Sequence, residues 1–395
     1  MIRNILIVSF TIVFAPFLHA GEWRGNITLE NRYFPNGPTF SEQHDNAVSL
    51  SLEPEYVASS KNNDLTFTFK PFFRYDEHDD ERTHADLREL GVVYATGDWE
   101  WRVGVSKVYW GVTESQHLVD IINQTDFVED LDSEDKLGQP MINATWIKDW
   151  GVLDFFVLPG FRERTFPGKE GRLRSGLVVD TDAAEYESSA EEGHVDGAIR
   201  WSHSLGAWDV GAYYFRGTSR DPELIPRPGN NGQLVLIPRY NQIDQLGFEA
   251  QATLDAWLLK LEVIAREGKP EDYTAAVGGF EYTFVGMMDS ATDLGAILEY
   301  NYDERGEDGV AVFQNDLFAG FRFAFNDEQS SEILAGGFFD LDKNNRFYRV
   351  EASRRLGQSF KLSGVAQIFD EIDEKDLQFS LRDDDFLELS LAYFF

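Results

Sequence analysis

Along most of the chain, apolar and polar side chains alternate one for one, in runs of about ten residues separated by polar turns. Trp23, Gly25, Ile27, Leu29 and Tyr33 share one parity, against Arg24, Asn26, Thr28, Glu30 and Arg32. Leu65, Phe67, Phe69, Phe73 and Tyr75 stand against Thr66, Thr68, Lys70, Arg74 and Asp76. Leu246, Phe248, Ala250, Ala252 and Leu254 stand against Gly247, Glu249, Gln251 and Thr253. Trp257, Leu259, Leu261 and Val263 repeat the pattern against Lys260, Glu262 and Arg266. A period of two predicts β-strands with one apolar and one polar face. Two stretches resist this reading: Lys107 breaks parity in a strand expected over 99–110, and 207–215 fits either register. A bulge at each would account for them.

The connections sort into two kinds. Short ones fall near Ser59–Asp64, Thr96–Asp98, Lys148–Gly151, Leu205–Gly206, Asp255, Val285–Ala291, Asn326–Ser330 and Gly357–Gln358. Mostly longer, acidic ones fall near 35–46, 76–84, 111–139, 163–193, 217–239, 267–272, 303–315, 341–345 and 370–385, the one at 341–345 being a brief exception. The two kinds alternate, which a sandwich, solenoid or propeller has no reason to do. In a transmembrane up-and-down barrel, short turns lie on the periplasmic side and long loops outside. Eight turns and nine loops make about 18 antiparallel strands, with both chain ends on the turn side. The run Gln233–Ile237 is left as a separate strand within a loop. Over 99–110, Trp99 and Trp101 fall at one end and Tyr109 and Trp110 at the other. Ten tilted residues climb roughly 23 Å, which matches the ~25 Å apolar band between aromatic girdles.

Composition sharpens this picture. Arg3, the apolar stretch Ile5–Phe14 and Leu18-His19-Ala20 read as a secretion signal over 1–20, ahead of a single barrel domain over 21–395. No later run approaches the ~18 apolar residues of a membrane helix. Mean hydropathy is -0.35, which misleads for a barrel because only every second residue is apolar. Aromatic residues reach 14% and suit interfacial girdles, while cysteine is absent, which excludes disulfides and thiolate metal sites. A formal net charge of -34 argues against nucleic acid and for cations. No cofactor and no metal is expected.

Two segments resemble known proteins. Leu387, Leu389, Leu391, Tyr393 and Phe395 alternate with Glu388, Ser390 and Ala392 and end on phenylalanine. This resembles the assembly signature of bacterial outer-membrane proteins, which implies contact with the barrel-insertion machinery through the Phe395 strand. Arg102, Gly104, Trp110 and Gly111 form an R-x-G-x5-W-G strand end, followed by Glu114-Ser115, Asn123 and Asp126. This resembles the fifth-strand and loop segment of a little-characterised family of proteobacterial outer-membrane barrels. The likeness implies a porin-like protein of the Gram-negative outer membrane, in contact with lipid and lipopolysaccharide. It names no solute and leaves homo-oligomerisation open.

An 18-strand barrel leaves an aqueous interior. The polar parity should line it, with Lys70, Arg102, Arg162, Arg200, Glu249, Glu262, Glu299, Arg322, Arg349 and Glu351 as pore wall. In diffusion porins the third outer loop folds inward, and here that loop is 111–139. Thr113-x-x-Gln116 resembles a capping box, followed by Leu118, Val119, Ile121 and Ile122, an apolar helix face in need of cover. Folded inward, the loop would offer Glu114, Asp120 and Asp126 as constriction acids facing Lys70, Arg200, Arg322 or Arg349. Residues 370–385 hold eight acids and 76–81 five more, an acidic mouth. The function expected is passive diffusion of small hydrophilic solutes with a modest cation preference. The alternatives are a non-conducting adhesin or structural barrel, and an outer-membrane hydrolase. The histidines at 44, 78, 84, 117, 194 and 203 fall mostly in loops, without a nucleophile-elbow motif.

Overall fold

The computed structural model describes residues 21–229, 232–306 and 311–395; the expected secretion signal, 1–20, lies outside them. The alternating runs form strands β1 (Glu22–Tyr33), β2 (Asn46–Ser59), β3 (Leu65–Asp76), β4 (Ala85–Thr96), β5 (Trp99–Ser106), β6 (Gln139–Lys148) and β7 (Gly151–Pro159). A two-residue β8 (Glu185–Tyr186) lies in a loop, before β9 (Val195–Leu205) and β10 (Trp208–Thr218). The hairpin β11 (Glu223–Pro228) and β12 (Leu234–Tyr240) follows, then β13 (Gln242–Leu254), β14 (Trp257–Gly268), β15 (Tyr273–Phe284) and β16 (Asp293–Asp303). The chain finishes with β17 (Asn315–Ala324), β18 (Glu332–Asp340), β19 (Arg346–Leu356), β20 (Phe360–Asp370) and β21 (Phe386–Phe394).

Eighteen of these strands make one antiparallel sheet, each paired to its neighbours in the chain. It closes on itself because β1 pairs with β21, Leu29 opposite Leu391 and Tyr33 opposite Leu387. Phe395 and Gly25 exchange both backbone hydrogen bonds at this seam, each 3.1 Å. Closure leaves no unpaired sheet edge. β8, β11 and β12 form a separate three-stranded sheet outside the barrel wall; the run expected over Gln233–Ile237 is β12. The eight turns and nine loops separate the strands in the expected order, the third loop opening early, after Ser106.

One parity points outward. Trp23, Ile27, Leu29 and Tyr33 are 40–60% exposed on β1, while Glu30 and Arg32 on the other parity are buried. Aromatic pairs ring the turn end: Trp23 tilted on Tyr56 (5.1 Å between centroids), Trp99 stacked on Trp146 (5.6 Å) and Trp257 edge-on to Tyr282 (4.7 Å). At the loop end the outward aromatics are Tyr33, Tyr75, Tyr214, Tyr300 and Tyr302. Tyr109 and Trp110 do not belong to that ring, contrary to the sequence reading. β5 stops at Ser106, and Trp110 is buried inside the barrel. Lys107 therefore breaks parity because the chain has left the sheet there. The irregularity that does occur lies between Lys70 and Pro71, where the β3–β4 register shifts. The ambiguous run resolves with Tyr213 and Phe215 inward, opposite Gly247 and Gln245.

The inward face is polar only in part. Two apolar clusters fill the loop-side half of the interior, the first built from Met141, Phe156, Leu158, Phe215, Ile243 and Ile264 of the wall with Trp110, Val119, Ile121 and Ile122. The second joins Phe347, Phe369 and Phe386 to Phe34, Leu173, Ile372 and Leu381 of the outer loops. The wall members of both clusters sit at the positions where alternation expects a polar face, and they meet apolar side chains of the loops there.

Gly104, in the β5 segment, has φ +140, and a Cβ there would stand 2.1 Å from the Leu90 carbonyl oxygen. Gly104→Ala should destabilise the barrel by about 1–3 kcal/mol, the cost of a strained backbone position. The urea midpoint of detergent-folded protein should fall; an unchanged midpoint would show that β4 and β5 can separate freely there.

Candidate functional site

The segment 107–138 connects β5 to β6 by way of the barrel interior. A chain leaving a sheet forfeits its ladder hydrogen bonds and needs other partners wherever water is excluded. Asn123, 1% exposed, supplies them at the neck. Its Oδ1 accepts from Val108 N–H at 2.9 Å, and its Nδ2 donates to the carbonyls of Ser106 (2.9 Å) and Leu137 (2.8 Å). The returning limb pairs with the outgoing one through Leu137 N–H to Gln124 O and Asp126 N–H to Asp135 O, both 2.8 Å.

Beyond the neck, three wall glutamates receive the segment. Glu249 on β13 accepts Gly111 N–H at 3.1 Å. Glu262 on β14 accepts the N–H groups of Val112 (2.7 Å), Thr113 (3.0 Å) and Val119 (3.2 Å). Glu299 on β16 accepts those of Glu114 (2.9 Å) and Ser115 (2.8 Å). Gly111 permits this approach: its φ is +125, and a Cβ would stand 2.7 Å from His117 Nδ1 and 3.0 Å from Glu262 Oε1. Hydrogen bonds to a charged acceptor contribute about 1.5–3 kcal/mol each, so the rack is strong. Trp110, Val119, Ile121 and Ile122 then pack on the apolar wall beside it. Thr113 does not cap a helix. Its hydroxyl donates to Gln116 O at 2.6 Å, and the segment stays irregular.

Glu114 Oε2 lies 2.6 Å from Arg322 Nη2 on β17 and 3.7 Å from Lys260 Nζ. The segment then reaches the opposite wall. Glu129 pairs with Arg74 on β3 at 2.6 Å, and Asp130 and Asp132 share Arg349 on β19, each at 3.0 Å. It thus spans from β13–β17 to β3, β4 and β19.

The expected site residues separate into groups. Of the three acids, Glu114 keeps some exposure, but Asp120 and Asp126 are enclosed. Asp120 pairs with Lys136 at 3.3 Å, both almost fully buried. Asp126 is 0% exposed, 2.6 Å from Arg88. On the wall, Glu249, Glu262 and Glu299 hold backbone, and Arg200 is ion-paired to Glu249. Lys70 pairs with Glu53 at 2.9 Å and Arg349 with Glu351 at 2.5 Å. Arg102 remains partly open beside Glu100. Arg162 follows β7 rather than lying on it, and crosses to Asp86 at 2.7 Å.

The acids that stay open on the segment are Asp132, Glu134 and Asp135, which the sequence reading passed over. Enclosure by the barrel and the charge of Asp130 push the Asp132 carboxyl up to about 7. Burial disfavours a charge on His117, but Glu134, 3.1 Å away, and Glu262 outweigh it, so its pKa is pushed up to about 10. At the mouth, several of the acids expected to be free are spoken for. Asp384 is buried against Arg172 at 2.6 Å, and Asp385 accepts Phe369 N–H at 2.8 Å.

No protein family and no curated protein matches the chain. Among solved structures, one described as "Asymmetric conductivity of engineered proteins" is similar over 95% of this chain and 100% of its own, at 11% identity and TM-score 0.47. A triple mutant of Rhodopseudomonas blastica porin is similar over the same shares, at 12% identity and TM-score 0.45. With likeness at this level, the fold rests on the chain's own closed strand pairing.

Replacing Glu262 with Ala removes the acceptor of three N–H groups. Limited proteolysis of the folded barrel should then open new cuts within 107–138, with Glu262→Gln intermediate. Undiminished protection would show that the apolar packing alone holds the segment.

Proposed function

We propose that this protein is a porin-like channel of the outer membrane that passes small hydrophilic solutes by passive diffusion, its lumen narrowed by 107–138. The observation carrying this reading is a closed 18-strand barrel crossed by a segment anchored to both walls, with charged groups left open beside it. Glu134 and Asp135 on the segment and the partly open Arg102 and Arg322 on the wall leave charges of both signs beside that space. Such a pairing orients dipolar solutes. The open acids favour a modest cation preference, and only charges within ~8 Å of a permeating ion act on it at physiological salt.

A second reading, a non-conducting adhesin or structural barrel, draws support from the two apolar clusters in the loop-side interior. A hydrolase finds less: among the described residues no hydrogen bond joins a serine or threonine hydroxyl to a histidine ring. Planar-bilayer recording separates the first two. Discrete conductance steps are expected from the purified barrel, and their absence would favour the closed barrel. Deleting residues 113–130 should raise the single-channel conductance; the same conductance would take this segment out of the pore.

The Asp132 pKa gives a pH signature. A carboxyl with pKa about 7 is protonated at pH 5 and charged at pH 8.5. The cation-to-anion permeability ratio should therefore rise with pH across that window, and Asp132→Asn should flatten the rise. A ratio that falls with pH, or that rises equally in the variant, would assign selectivity elsewhere.

A further inference from the structure

The loop between β3 and β4 meets the inner segment at one side-chain cluster that holds more than ion pairs. His84 Nδ1 lies 3.0 Å from the Arg82 carbonyl oxygen, an oxygen that only accepts, so Nδ1 carries the proton. That leaves the Nε2 lone pair aimed inward, the arrangement that orients a metal-ligating imidazole. Nε2 faces Asp126 Oδ2 at 3.5 Å and Glu129 Oε1 at 3.6 Å, and the three atoms lie within 4.8 Å of one another. Nε2 and Asp126 Oδ2 are both buried without a hydrogen bond, and Asp126 itself is 0% exposed. Arg88 comes within 2.6 Å of that oxygen but out of hydrogen-bonding line.

These separations are those of ligands around one ion. Metal–ligand arms of 2.0–2.2 Å in tetrahedral geometry put neighbouring ligands about 3.4 Å apart. A carboxylate offers roughly four acceptor positions, so Asp126 and Glu129 can ligate while Arg88, Arg74 and Thr165 hold their remaining positions. Thr165 Oγ donates to Asp126 Oδ1 at 2.7 Å, and Arg74 Nε donates to Glu129 at 3.0 Å. The charge also leaves room. Glu30, Asp76, Asp86 and Asp135 join the two ligand acids around this cluster, against the four guanidiniums of Arg74, Arg82, Arg88 and Arg162. Six carboxylates thus meet four guanidiniums, with Arg32, 3.9 Å from Glu30, as a further cation at the edge of the cluster.

We propose that His84, Asp126 and Glu129 form a divalent-cation site that ties the β3–β4 loop to the inner segment. An imidazole among the ligands selects zinc-class ions over calcium or magnesium, which take oxygen alone. His84 retains 17% side-chain exposure, which leaves a way in from the loop side. The site is independent of whether the barrel conducts. The spacing of 84, 126 and 129 carries no motif, since the ligands come from two different loops.

The test is calorimetric titration of zinc chloride into the detergent-folded, full-length barrel, with calcium and magnesium chloride as controls. One zinc per chain should bind saturably, and His84→Ala and Glu129→Gln should each weaken it at least tenfold. Heat-modifiable gel mobility reports that each variant is folded, and Glu129→Gln alone decides the matter if His84→Ala fails to fold. Three outcomes overturn the proposal: no saturable zinc binding, which leaves an imidazolium–carboxylate ion pair only; equal binding in the variants; or calcium binding as tightly as zinc.

Discussion

Irregular backbone inside a closed barrel survives only if each N–H that has left the sheet finds an acceptor. After Ser106 the chain gives up its place between β4 and β6, and the compensation comes from side chains: Asn123 at the neck, then Glu249, Glu262 and Glu299 on the far wall. A carboxylate suits this role because it only accepts, with about four sites, and each charged bond is stronger than a neutral one. The apolar packing of Trp110, Val119, Ile121 and Ile122 follows from that placement. Without the rack those side chains would face no wall at the right height.

The same chemistry reassigns much of the acidity. A chain with a net charge of -34 invites the view that its carboxylates repel one another on exposed loops. Many do not. Glu30 sits among Arg74, Arg82 and Arg32, and burial of paired charges is costly unless the partners are close and further hydrogen-bonded. Removing one member of such a set leaves the other buried and unpaired, so these positions resist single substitution more than their loop location implies.

The barrel was legible in the sequence because strand period and loop asymmetry are local properties. Parity tells which way Glu262 points, and it told correctly; Phe215 lies in a run that fits either register, and only the strand pairing decides it. Parity does not tell what arrives opposite, because that partner comes from more than a hundred residues away in the chain. Hence Glu249, Glu262 and Glu299 read as pore lining and proved to be backbone acceptors. Within 107–138 no period exists to read. The sequence reading picked Asp120 and Asp126 and passed over Asp132, Glu134 and Asp135, because only the fold separates buried acids from open ones. One trace was visible beforehand. The parity break at Lys107 marked the residue where the chain leaves the sheet, and the glycines at 104 and 111 bracket that exit.

The rack also fixes an order of events. The inner segment precedes every strand from β6 onward, yet its acceptors lie on β13, β14 and β16 and its ion-pair partners on β17 and β19. It cannot dock until those strands have been made and stand in place to receive it. Contacts of such long sequence separation form late. Filling the interior therefore waits on building the far wall, and a segment from the first half of the chain is among the last parts to find its place.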